Sequence, residues 1–229
     1  HSIVNLVKNK KIISFIAYSS LVVGLLIISI ISVSTSINIL ILVAACCFLG
    51  YLYQGPPFRF GYQGLGEPLC WLAFGPFAYS AVLIALNPSN IYFENIPWKV
   101  SLLLGSGPAL ATTLILFCSH FHQISEDKTH GKNSPLVRLG AKKGSQFVPW
   151  IIFTIYIFQL LTIFSGFIPV FCILYLISFP QAIRLINLLE SSYKKPSATK
   201  NCKFIAIKFQ TLNGVGLITG LIFNYLLKK

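Results

Sequence analysis

The sequence predicts an all-α, polytopic bundle of transmembrane helices, and three observations carry that expectation. Of its 229 residues, 55% are hydrophobic and only 10% are charged, and the mean hydropathy of +0.75 lies above the range of water-soluble domains. Seven apolar runs come close to the ~20 residues that a helix needs to cross a bilayer core. The basic residues, which give a net charge of +13, collect in the polar gaps between these runs, where membrane topology would place them. A soluble fold, a disordered or fibrous chain and a nucleic-acid partner are all poorer accounts of this composition.

The runs fall at about 12–33, 37–53, 69–87, 99–119, 147–164, 168–189 and 208–227. The second, fifth and sixth are short, and Pro169 and Pro180 offer places where the sixth can tilt or break. The first run is too long for a cleavable signal, and six more follow it. The chain has no Met and opens His1-Ser2-Ile3, which we read as a fragment or a processed product.

When the connections are assigned to alternate sides, fifteen of the eighteen basic residues share one side and only Lys99, Lys228 and Lys229 the other. That asymmetry assigns the first side to the cytoplasm. External connections are short, and only 88–98 has any size. No acid, Lys or Arg stands near the middle of a predicted span, which counts against an ion-coupled carrier. The six cysteines, at 46, 47, 70, 118, 172 and 202, form no Cys-x-x-Cys pair and read as small core residues.

Polar chemistry is thereby concentrated in two cytoplasmic loops, 53–68 and 119–146. In the second, continuation of the preceding helix past Cys118 would put Gln123, Glu126 and Asp127 on one face, at i, i+3 and i+4. Two carboxylates and an amide suit Mg²⁺, which takes one or two carboxylates and fills its other positions with water and substrate phosphates. Lys128, Lys132 and Arg138 surround that patch with positive charge, so metal and bases together can hold a diphosphate. A solvated loop whose charges merely obey topology explains the same spacing. His120, His122 and His130 invite a zinc reading, but positions two apart diverge on a helix and no fourth ligand is evident. Gly131 fits the end of a helix.

The first loop runs from Tyr53 to Pro68 and sets Arg59 and Glu67 among aromatics, with Pro56, Pro57, Gly61, Gly64 and Gly66 shaping the backbone. A Gly-x-Gly without a preceding strand is no dinucleotide fingerprint. A re-entrant turn packed between helices remains the structural alternative to a binding loop.

Long strings in these loops carry a resemblance. Tyr-Gln-Gly-Pro-Pro-Phe-Arg-x-Gly-Tyr-x-Gly-Leu-Gly-Glu-Pro-Leu-Cys over Tyr53–Cys70, His120-Phe121-His122-Gln123, and Asp127-Lys128-x-x-Gly131-Lys132-x-Ser134-Pro135-x-Val137-Arg138-Leu139-Gly140 resemble the UbiA superfamily of membrane prenyltransferases, and within it the MenA-type branch. The resemblance covers essentially the whole chain and implies a single domain with seven of the family's nine helices, multi-pass in an inner or thylakoid membrane and open to the cytoplasm. The family's first acidic motif, of the type Asn-Asp-x-x-Asp-x-x-x-Asp, would then precede His1. In its second motif Gln123 replaces the first Asp of the common Asp-x-x-x-Asp form, and Asp127 holds the second position.

The activity implied is transfer of a prenyl group, in this branch phytyl, from its diphosphate to a dihydroxynaphthoate-type aromatic acceptor. Mg²⁺ would be held by Asp127 and Glu126 with Gln123, and the diphosphate by Arg59, Lys128, Lys132 and Arg138. Tyr53, Phe58, Phe60 and Tyr62 would shield the developing cation, and Glu67 or His122 would hold or deprotonate the acceptor. Another aromatic acceptor (homogentisate, 4-hydroxybenzoate or chlorophyllide), a small-molecule carrier and a noncatalytic scaffold remain the alternatives. Gly216-x-x-x-Gly220 is a helix-packing motif under any of them.

Overall fold

The computed structural model describes residues 10–86 and 96–229. The opening segment, Glu94 and most of the external stretch 88–98 lie outside them. Helix α1 spans Lys10–Ser34, α2 Ile37–Gln54, α3 Gly66–Leu72, α4 Ala78–Leu86, α5 Trp98–Ser119, α6 Ile124–Thr129, α7 Pro135–Phe164, α8 Phe179–Ser192, α9 Pro196–Thr199 and α10 Cys202–Leu227. Among the described residues seven stretches are long and apolar enough to cross a membrane, as the apolar runs predict.

Local sequence sets where these helices begin and end. Ser36 caps α2 by accepting a hydrogen bond from the Asn38 N–H at 3.3 Å, and the Ser32 hydroxyl donates to the Ser36 carbonyl at 2.9 Å, closing the α1–α2 turn. Between α3 and α4 the chain widens to a π turn over Ala73–Phe77, with Pro76 inside it. Proline removes a backbone donor, and a π turn absorbs that defect without ending the helix. There the helix crosses α5 closely. A Cβ on Gly75 would meet the Ala109 Cβ at 3.0 Å, and one on Gly105 would meet the Gly75 backbone at 3.0 Å.

Helix α5 is the central element, with half of its apolar window buried. Leu114, Phe117 and Cys118 join Ile152 and Ile155 of α7, Leu185 and Leu189 of α8, and Phe209 of α10 in the main core. A buried polar bridge ties the same helices together. The Gln159 amide on α7 donates to Asn213 Oδ1 on α10, and Asn213 donates back to Gln159 Oε1 at 3.1 Å. In an apolar surround such paired amides satisfy one another, whereas either alone would be an unpaired polar group.

Two expected spans differ in form. The fifth begins at Pro135, twelve residues before the expected 147, because Ser134-Pro135 starts a helix with proline in its first turn. It bends at Gly140, φ 77 and ψ 157, a conformation open to glycine. The second loop is therefore largely helical, as α6 and the first turns of α7. The sixth span opens as a 3₁₀ segment, Val170–Ser178, and turns α-helical at Phe179, one residue before Pro180. Against this segment Gly216 and Gly220 of α10 pack so tightly that a Cβ would stand 2.3 Å from the Leu174 carbonyl oxygen and 2.5 Å from the Cys172 backbone.

Candidate active site

Helix α5 does not run on as the sequence suggests. It gives way at His120–His122 to a single 3₁₀ turn, and α6 starts afresh after Gln123. Gln123, Glu126 and Asp127 nevertheless share one polar cavity of about 250 Å³, together with Tyr53, Gln54, Gly61, Tyr62, His130 and Lys132. The Asp127 N–H donates to the Gln123 carbonyl at 2.7 Å, and the Lys132 N–H to the Asp127 carbonyl at 2.8 Å. Gly131, at φ 68, closes the turn that follows α6.

The first loop supplies the opposite wall. Gln63 donates from Nε2 to the Phe58 carbonyl at 2.7 Å, and Gly64 takes the left-handed conformation at φ 77. Gly61 and Gly66 are glycine for lack of room around Tyr53: a Cβ would lie 2.8 Å from the Tyr53 carbonyl oxygen at the first and 2.7 Å from its ring at the second. The two loops are pinned together. The Asn133 N–H donates to the Tyr62 carbonyl at 2.7 Å, and the Arg138 guanidinium donates to the Gln63 carbonyl.

Asp127 is 7% exposed, and both its oxygens are engaged. Oδ2 faces Nδ1 of the buried His120 at 3.1 Å, and Oδ1 faces the Lys132 ammonium at 3.4 Å. On its other edge the His120 ring presents Nε2 to Glu67 Oε1 at 3.5 Å. The two Glu67 oxygens are buried and make no hydrogen bond among the described residues. Glu67, His120, Asp127 and Lys132 thus form a chain across the interface between the loops.

Of the residues expected to act, Tyr53, Tyr62, Gln123, Glu126, Asp127 and Lys132 line the polar cavity, and Glu67 stands against the far edge of the His120 ring. Arg59, Lys128, Arg138 and His122 do not line it. Arg59 takes a left-handed backbone, φ 45, and holds its guanidinium 5.8 Å from the centre of the Tyr62 ring. Arg138 serves as the tie between loops. Sequence reasoning gives Gln54 no role and treats His120 and His130 only as possible zinc ligands. His120 stands seven residues before Asp127, a same-face spacing on a helix that marks it as a partner of the carboxylate.

Above this site lies a second, apolar cavity of about 1010 Å³ between α1, α2, α3–α4 and α5. Tyr53 lines both cavities. Cys46, Cys47 and Cys70 belong to the apolar wall, whereas Cys118, Cys172 and Cys202 are buried, so none of the six is paired in a disulfide.

The UbiA prenyltransferase family profile matches residues 5–208. The chain belongs to this family. It is 36% identical over 221 residues to a 2-carboxy-1,4-naphthoquinone phytyltransferase of Synechocystis sp., covering 96% of this chain and 70% of that protein. A chloroplastic 2-carboxy-1,4-naphthoquinone phytyltransferase of Arabidopsis thaliana is 37% identical over 224 residues, covering 96% of this chain and 58% of that protein. No solved structure matches. As a UbiA prenyltransferase with seven membrane-length helices among the described residues, the protein is an integral membrane protein.

Family membership implies Mg²⁺, and the donor set fits that ion. Among the described residues no three His, Cys, Asp or Glu side chains converge into a self-sufficient metal site. Glu126 and Asp127 nevertheless face the same small polar cavity beside the Gln123 amide. A two-carboxylate site that leaves positions to water and phosphate is how Mg²⁺ is usually held.

Proposed function

We propose that the protein transfers a phytyl group from its diphosphate to a carboxylated 1,4-naphthoquinone or 1,4-dihydroxy-2-naphthoate, a step of phylloquinone or menaquinone biosynthesis. The observation that carries this reading is Tyr53, which walls both a polar cavity and an apolar one four times larger. A donor with a charged head and a 20-carbon tail has that division. Moving such a tail into water costs on the order of 15 kcal/mol, at ~0.8 kcal/mol per CH₂, so the reaction belongs where the head meets polar groups and the tail stays in apolar surroundings.

In this reading Asp127 and Glu126, with Gln123, hold Mg²⁺, which when bound stabilises the diphosphate as leaving group. The Lys132 ammonium adds a cation on the same side. The C–O bond of the donor breaks and its electron pair leaves with the diphosphate, while a C–C bond forms to the acceptor ring carbon that carries the carboxylate; that carboxylate leaves as CO₂ and its bonding pair returns to the ring. Positive charge develops on the allylic carbon, near the faces of Tyr53 and Tyr62, and a cation–π contact there contributes about 0.5–2 kcal/mol. Glu67 and His120 act through Asp127 as positioning residues, because neither lines the cavity. Arg59, Lys128 and Arg138 contribute to the field around the site rather than to direct contacts. The basic asymmetry favours a site on the cytoplasmic side of an inner or thylakoid membrane.

The test supplies phytyl diphosphate, Mg²⁺ and 2-carboxy-1,4-naphthoquinone or 1,4-dihydroxy-2-naphthoate to membranes containing the protein. Prenylated naphthoquinone is the expected product. Movement of the acceptor across the bilayer with no such product would overturn the reading in favour of a carrier.

A further inference from the structure

The connection from α8 to α10 carries positive charge that no neighbouring acid neutralises. Lys194, Lys195, Lys200, Lys203 and Lys208 fall within fifteen residues, and no Asp or Glu occurs after Glu190. Among the described residues none of the five makes an ion pair. Glu190, the one acid near them in sequence, is exposed and pairs with none of them. Segment 1–9 contains no acid that could supply a partner.

This connection stands at the active-site end of the bundle. Helix α9 packs on the His120–His122 turn, and Cys202 Sγ, at the start of α10, donates to the Cys118 carbonyl at 3.0 Å. Lys208 sits six residues beyond Cys202, about 9 Å down the helix. It is exposed, and the face that carries it is apolar. Phe204 and Val215, four residues before it and seven after, share that face and are 52% and 47% exposed. Around the helix, at about 100° per residue, Lys203 and Lys208 flank Phe204. The Lys203 ammonium lies 5.2 Å from the centre of the Phe204 ring.

Topology alone accounts for lysines in a loop. Lys208 is different, because it stands on a stripe of exposed apolar side chains below the helix start. In a bilayer its stem lies along hydrocarbon while its ammonium reaches back to the headgroups, and there it needs an anion that the protein does not provide.

We propose that Lys200, Lys203 and Lys208 form a docking surface for the headgroup of an anionic phospholipid, with an acyl chain along the Phe204–Val215 stripe. Charge complementarity selects the occupant. A zwitterionic headgroup brings its own cation beside the phosphate, whereas an anionic one leaves net negative charge to meet unpaired ammonium groups. Cation and apolar stripe on one helix face match the two parts of such a lipid. The docked headgroup adjoins the segment that packs on the His120 turn.

The experiment reads thermal unfolding of the purified protein in a neutral detergent, with phosphatidylglycerol, phosphatidylcholine or inorganic phosphate added at equal phosphorus concentration. Phosphatidylglycerol is expected to raise Tm by at least about 2 °C, the shift that one further interaction gives a chain of this size, and the other two to give less than half of that. The Lys200→Gln/Lys203→Gln/Lys208→Gln variant should lose the difference between the two lipids. Lys228→Gln/Lys229→Gln, at the other end of α10, should keep it. High salt should shrink the difference in the unmodified protein. Equal shifts with both lipids, or a triple variant that keeps the full difference, overturn the proposal. Inorganic phosphate that matches phosphatidylglycerol overturns it in favour of a site for free anions. If the triple variant does not accumulate, Lys208→Gln alone is measured, and an undiminished difference overturns the proposal. None of these readouts depends on prenyl transfer.

Discussion

Asp127 combines near-complete burial with three charged or titratable neighbours within reach, His120 and Lys132 in contact and Glu67 one ring farther. Its replacement by alanine removes a proposed metal ligand and strands the Lys132 ammonium. The expected outcome of Asp127→Ala is loss of at least about a hundredfold in kcat, the scale on which single electrostatic groups act in catalysis, measured as prenylated product at saturating Mg²⁺. His120 gives a finer test, because its Nδ1 side orients the carboxylate without touching the cavity. His120→Ala is expected to lower kcat/KM by roughly 10–100-fold, as loss of an orienting partner does, and to raise the Mg²⁺ concentration giving half activity. His120→Asn, whose amide N–H can stand where Nδ1–H stood, should recover part of both. A Mg²⁺ dependence identical in all three proteins would remove His120 from this role. Asp127 and Glu126 were legible in the sequence because acids are scarce in this chain. His120 was not, since its value depends on a helix that breaks at His120 and then brings the ring back beside Asp127.

At the scale of elements, the tightest constraints are backbone approaches. Gly220→Ala would drive a Cβ to 2.5 Å from the Cys172 backbone, a clash that no rotamer relieves, and a cost of about 1–3 kcal/mol is expected from such overpacking. Thermal unfolding in detergent should show it as a lower Tm, with a smaller effect for Gly24→Ala, where a Cβ meets nothing within 4 Å. Arg138→Ala should leave the KM for donor nearly unchanged and lower kcat and stability together, because the residue donates to Gln63 and does not line the cavity. A KM effect alone would return Arg138 to direct substrate contact. The apolar runs foretold the number of spans, whereas their forms escaped sequence reasoning for physical reasons. The start of α7 at Pro135 is set by a proline in its first turn, beside charged residues that hydropathy discounts, and the 3₁₀ segment Val170–Ser178 packs on two glycines of α10 some forty residues away, a contact that hydropathy does not register.

For the whole molecule, the division into a wet end and a dry end follows from topology: loops carrying most of the charge meet at one end of a bundle whose other surfaces are apolar. Chelation of divalent cations in membranes is expected to abolish product formation and added Mg²⁺ to restore it, and full turnover after exhaustive chelation would count against the carboxylate site. A Lys143→Cys variant should react with a membrane-impermeant thiol reagent from the cytoplasmic side only, because the basic loops share that side under the positive-inside rule. Labelling from the opposite face would invert the bundle.

The pinning of Asn133 and Arg138 to the backbone of Tyr62 and Gln63 has a consequence for anyone recombining related sequences. Those bonds end on carbonyl oxygens, so they are indifferent to side-chain identity in the first segment yet sensitive to its backbone trace. A chimera that imports one of these segments with a single inserted or deleted residue should lose activity, and importing both from the same parent should bring it back.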